Sequence, residues 1–137
     1  MSKVLQIVLR WLPALSLMLI IFLFSAQPSS ELPNFDWADR IVKKGGHMIG
    51  YALLAAAYWR ALKFRQEKWW LAWCFAVLYA VTDELHQSFV PGRHPSVWDV
   101  LIFDNLGALV SLWLLRAYKT QRSDSRGPIV EGIEARS

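Results

Sequence analysis

Ten residues carry the chemistry of this chain, and they fall into four short clusters. Lys44, His47 and Tyr51 are spaced i, i+3 and i+7, which places them on one stripe of a helix. Asp83, Glu84 and Gln87 follow at helical spacing, with Arg93 just beyond them in a Pro91-Gly92-Arg93-His94-Pro95 turn. Ser25 and Gln27 close the first apolar run, and Asp99 opens the last. Lys44 and Arg93 are suited to holding a phosphate or carboxylate, Arg by a two-pronged fork and Lys as a point charge. Asp83 and Glu84 are adjacent carboxylates fit for general acid/base work, with His47 as a further base or an orienting group and Tyr51 as a donor to a developing anion. Hydrolysis or transfer on a lipid-linked or cell-envelope phosphate, or on a peptide ending in carboxylate, would use such a set. No residue stands out as a nucleophile, since neither Ser25 nor Ser96 has the surroundings that would single it out.

Two other uses of the same residues stay open. His47 with Asp83, Glu84, His86 or Asp99 offers nitrogen and oxygen metal ligands. No His pair lies four apart, however, and Lys44 would compete as a permanent cation, so the expectation is no metal and no cofactor. Alternatively, the carboxylates, His47 and Tyr51 form a hydrogen-bonded network that fixes helix registry, with Lys44 and Arg93 neutralising it. Under that reading the protein is a non-catalytic binding or assembly factor, for which the small residues Gly50, Ala52, Ala55 and Ala56 supply a close-contact face.

The elements that position these groups are apolar. Of 137 residues, 55% are hydrophobic and 19% charged, a composition that excludes a disordered chain. A single cysteine, Cys74, excludes an intrachain disulfide and any cysteine-based metal centre. Four blocks lack charge over long stretches, and with their polar flanks each reaches the roughly 20 residues that span a bilayer. They predict transmembrane helices near 5–26, 42–62, 69–89 and 98–118. The fold class is therefore all-α, an integral membrane bundle of four transmembrane helices over residues 1–118, with 119–137 a flexible cytoplasmic tail. A soluble bundle would show a polar stripe that Leu12 to Phe24 and Phe75 to Val81 lack. A cleaved signal peptide ending near Ser25-Ala26-Gln27 is the other alternative for the first block.

Charge placement orients the bundle. With the N-terminus inside, eleven of the fifteen basic residues lie on the inner side, so both termini are expected in the cytoplasm. Trp69, Trp70 and Trp73 suit the inner aromatic belt, Trp37 and Trp98 the outer one. The net charge of +4 and a pI near 9.5 are thereby explained by topology, and the expected partner is the lipid bilayer with no nucleic acid. Alternation of the helices brings every polar cluster to one end of the bundle, the outer end.

The motifs resemble those of the VanZ-like family: Lys44-x-x-His47-x-x-x-Tyr51, Asp83-Glu84-x-x-Gln87-x-Phe89-Val90-Pro91-Gly92-Arg93, Ser96-x-x-Asp99, Asn105-Leu106-Gly107 and the Ser25-x-Gln27-Pro28 ending of the first helix. The likeness runs from about residue 10 to residue 116. It implies a small multi-pass protein of the bacterial inner membrane, associated with resistance to the glycopeptide teicoplanin. Between Asp99 and Gly107 the chain carries one residue more than the family pattern, near Phe103, so either Asp104 or Asn105 stands at the family position.

Overall fold

The computed structural model describes residues 2–28, 36–93, 96 and 98–124, and among these the side chains outside 36–43, 99–101 and 124. The described residues form helices and connecting turns. Helix α1 spans Lys3–Ser25, α2 Asp36–Ala61, α3 Trp69–Gln87 and α4 Asn105–Asp124. A short 3-10 turn, Gln66–Lys68, leads into α3, and a π-helical segment, Asp99–Asp104, leads into α4.

Local contacts set the start of α1 and the end of α2. The Ser2 hydroxyl accepts the Leu5 N–H and caps α1, which runs through Pro13 despite the missing donor there. After α2 the chain reverses through Lys63 and Phe64, both at positive φ (60° and 51°). This turn is held by the Phe64 N–H on the Trp59 carbonyl and the Trp59 indole N–H on the Arg65 carbonyl, 2.8 and 2.9 Å. The π segment is where a helix absorbs an additional residue without losing its neighbours, because i→i+5 bonding accommodates an insertion. It coincides with the extra residue noted between Asp99 and Gly107.

Helix α2 is the central element and packs against α1, α3 and α4. The interfaces are made by small side chains: Ala14, Ala55, Ala57, Ala72, Ala76, Ala80 and Ala108 are buried, joined by Tyr51, Leu54, Trp59 and Leu112. Gly107 brings α4 so close to α2 that a Cβ there would run into the Met48 carbonyl oxygen. Large apolar side chains point outward instead, among them Leu19, Leu23 and Phe24 of α1, Leu78 and Leu85 of α3, and Trp113 and Leu114 of α4.

Two boundaries differ from the sequence reading. Helix α2 begins at Asp36, six residues before the expected start, and α4 runs to Asp124, beyond the expected end of the last span. Lys119 explains part of that extension, since its ammonium sits 4.1 Å from the Phe64 ring centroid and ties this helical turn to the α2–α3 reversal. The remainder of the expected tail, 125–137, lies outside the described residues. Only α1 among the described helices is long and apolar enough by itself to cross a membrane, with a mean hydropathy of 2.3 over its best window. Helices α2 and α3 carry ionisable residues in their polar turns, and the last turns of α4 are polar.

Candidate functional site

The small-residue stripe of α3 changes character at one end: Ala72, Ala76 and Ala80 give way to Asp83 and Gln87 at the same helical spacing, all five buried. Asp83, at 4% exposure, is the hub. Its Oδ2 accepts hydrogen bonds from the Ser25 hydroxyl of α1 at 2.8 Å, the Gln87 amide at 3.0 Å and the Tyr51 hydroxyl of α2 at 3.3 Å. Gln87 Nε2 also reaches Ser25 Oγ at 3.3 Å. One carboxylate oxygen thus joins three helices, while Oδ1 is buried with no hydrogen-bond partner among the described residues.

Glu84 belongs to a different environment. Consecutive helical residues point about 100° apart, and Glu84 turns toward the α3–α4 connection, where its Oε1 accepts the Ser96 backbone N–H. The two adjacent carboxylates expected to act together therefore face separate partners. Gln87 keeps company with Asp83 and not with Glu84.

His47 stands beside this hub at the mouth of the bundle. Its Nδ1 is 3.7 Å from Asp104 Oδ1, and its ring centroid is 6.0 Å from that of Tyr51. Asp104 is 3% exposed and His47 29%, so a buried carboxylate backs a reachable imidazole. Lys44, one turn earlier on α2, places its ammonium 4.8 Å from the Phe103 ring centroid. Of the two residues left open at the start of α4, Asp104 joins this site. Asn105 turns to α3, where its Oδ1 accepts the Trp73 indole N–H at 2.6 Å. The π segment produces that division by rotating Asp104 inward ahead of the regular helix.

Arg93 is engaged with main chain. Its Nη2 donates to the Phe24 carbonyl at 2.8 Å and its Nε to the Gln27 carbonyl at 3.1 Å. These are carbonyls at and just beyond the end of α1, where a cation is favoured by the helix dipole. Gln27 takes part through its backbone, and its side chain is exposed. The side chains of Asp99 and Trp37, and the whole of His94, lie outside what the structure describes. Among the described residues no group of three or more His, Cys, Asp or Glu is placed to hold a metal ion. His86 stacks on Phe22 with centroids 4.4 Å apart, away from the hub.

Sequence reasoning missed two polar anchors lower in the bundle. The Tyr79 hydroxyl donates to the Met18 carbonyl at 2.6 Å and the Ser111 hydroxyl to the Ala52 carbonyl at 2.7 Å. A lone hydroxyl in an apolar helix facing a neighbour is the only signal either gave.

Against this geometry, the sequence model of the VanZ/LLP1 family matches residues 10–119. The chain belongs to the VanZ/LLP1 family. The match covers α1 from Arg10, all of α2 and α3, and α4 through Lys119, so every residue of the hub falls within the VanZ domain. No curated protein and no solved structure matched the chain. Within the VanZ domain the Ser25, Tyr51, Asp83 and Gln87 cluster is a helix-joining network, and His47 with Lys44 forms its accessible edge.

Proposed function

We propose that this VanZ-family protein is a bacterial inner-membrane protein of four spans with cytoplasmic termini. Its polar end opens outward and binds an anionic cell-envelope or lipid-linked component, and through that binding it lowers susceptibility to teicoplanin. The membrane reading is supported by the inverted distribution of side chains: alanines inside, and Leu, Ile, Phe and Trp outside along α1, α3 and α4. In hydrocarbon, helix packing relies on small residues and interhelical hydrogen bonds, since burial of large apolar groups gains nothing over lipid.

The observation that carries the binding reading is the partly exposed His47 backed by buried Asp104, with Lys44 one turn away on the same stripe. Asp83 is a post that holds α1, α2 and α3 in register beneath that edge. Its Oδ2 is bound by donors from α1, α2 and α3, which favours a joining role for Asp83. One observation favours a second reading: the His47–Asp104 pairing is also how a general base is oriented, and a hydrolytic site would use it so.

The test compares teicoplanin susceptibility and membrane abundance in cells producing the native chain, Lys44→Ala, His47→Ala or Glu84→Gln. Binding at the mouth predicts loss of protection for Lys44→Ala and His47→Ala at normal abundance, and retention for Glu84→Gln. Full protection by both mouth variants at normal abundance overturns the site; loss with Glu84→Gln alone reinstates acid/base chemistry there.

A further inference from the structure

Toward the basic end of the bundle, over the stretch of α4 from Leu109 to Arg116, a groove of about 330 Å³ lies between α4 and the start of α3. Trp69, Leu109, Val110, Leu112 and Trp113 line it, and Arg116 stands at its rim with its guanidinium carbon 5.4 Å from the Trp69 ring centroid. Among the described residues Arg116 side-chain donors make no hydrogen bond or ion pair, leaving the five N–H groups of its fork for a ligand. The surroundings are strongly cationic. Arg60, Lys63, Arg65, Lys68, Lys119 and Arg122 share this end, and Glu67, the carboxylate of the α2–α3 connection, is already paired with Arg65.

We propose that this groove is a binding site for an anionic phospholipid of the cytoplasmic leaflet. One acyl chain lies along Leu109, Val110 and Trp113, and the headgroup phosphate is held by Arg116. Charge complementarity selects this occupant. An apolar slot alone would take any acyl chain, whereas a cation at its rim, over a tryptophan suited to the membrane interface, discriminates for negative headgroups. The site is distinct from the polar end, which shares none of its residues. It rests on the membrane reading above and adds a ligand, a location and a residue that reading does not contain.

The purified full-length protein is reconstituted into nanodiscs of phosphatidylcholine with or without phosphatidylglycerol, and co-purifying lipid is quantified by native mass spectrometry. The native chain is expected to retain phosphatidylglycerol in preference to phosphatidylcholine. Arg116→Gln lowers that preference by about fivefold, the factor equivalent to ~1 kcal/mol for one basic side chain near an anionic headgroup. Val110→Trp, which fills the groove, lowers retention of both lipids, and Lys63→Gln, on the same end but off the groove, lowers the preference by less than about twofold because salt screens a charge that does not touch the headgroup. Equal retention of the two lipids by the native chain, or equal effects of Lys63→Gln and Arg116→Gln, overturns the site. Vesicle flotation separates the two levels: a chain that floats with vesicles of either composition and shows no headgroup preference refutes the groove alone. A chain that floats with neither refutes the membrane reading as well.

Discussion

Replacing Asp83 with Ala removes the acceptor shared by α1, α2 and α3 and leaves the donors of Ser25, Tyr51 and Gln87 facing a small void. Interhelical hydrogen bonds inside membrane proteins average roughly 0.6 kcal/mol, and the net value of a protein hydrogen bond reaches about 1.5 kcal/mol. Three such bonds give an expected loss of about 2 to 4.5 kcal/mol for Asp83→Ala. Asp83→Asn retains one oxygen that can face the same three donors, while its new NH2 group takes the place of Oδ1, which has no hydrogen-bond partner among the described residues. Its expected cost is about 1 kcal/mol or less. Reversible unfolding of the purified protein in mixed micelles, followed by tryptophan fluorescence, measures both. A double-mutant cycle with Ser25→Ala should give a coupling of about 0.5 to 1.5 kcal/mol. If Asp83→Ala stays within about 0.5 kcal/mol of the native chain, or if the coupling is zero, Asp83 does not hold the helices together.

Other substitutions probe the remaining joints. Gly107→Ala should destabilise by about 1–3 kcal/mol through overpacking. Met48→Ala should not rescue it, because the obstructing atom is a backbone oxygen; rescue in the unfolding assay would contradict the close approach of α2 and α4. Arg93→Ala should free the last turn of α1, seen as faster amide exchange near Ala26 and Gln27 with α3 unchanged, because the Phe24 and Gln27 carbonyls lose the guanidinium that ties them to the end of α3. Lys63→Gly should raise stability by about 0.5–1 kcal/mol, since glycine adopts positive φ without the Cβ penalty. A lower midpoint for that variant would show that the Lys63 side chain contributes more than its backbone costs.

The four helices were legible because each apolar block is long and its ends are marked by polar residues or Pro-Gly punctuation. Helix alternation was enough to bring Ser25, Tyr51, Asp83 and Gln87 to one place, whereas Asn105 bonds Trp73 nearer the start of α3. What spacing could not resolve was direction at finer grain. Asp83 and Glu84 are neighbours in sequence, yet the helical turn between them sends one into the bundle and the other toward Ser96. Asp104 and Asn105 were separable only once the π segment had set their rotation. Arg93 reads as an anion binder from its charge, but the ends of α1 and α3 lie close enough for it to take up carbonyls instead. Gly107 carried a readable signal, a glycine within an apolar helix, and its cause is the backbone of α2.

Cysteine labelling in intact cells tests most directly whether the bundle crosses the membrane with its polar end outside. In a Cys74→Ala background, Gln27→Cys sits at the polar end and Glu67→Cys at the basic end, both at exposed side chains. An impermeant maleimide should modify Gln27→Cys in intact cells and reach Glu67→Cys only after the membrane is permeabilised. Labelling of Glu67→Cys in intact cells, with Gln27→Cys protected, would contradict the orientation and with it an outward-facing site built around His47.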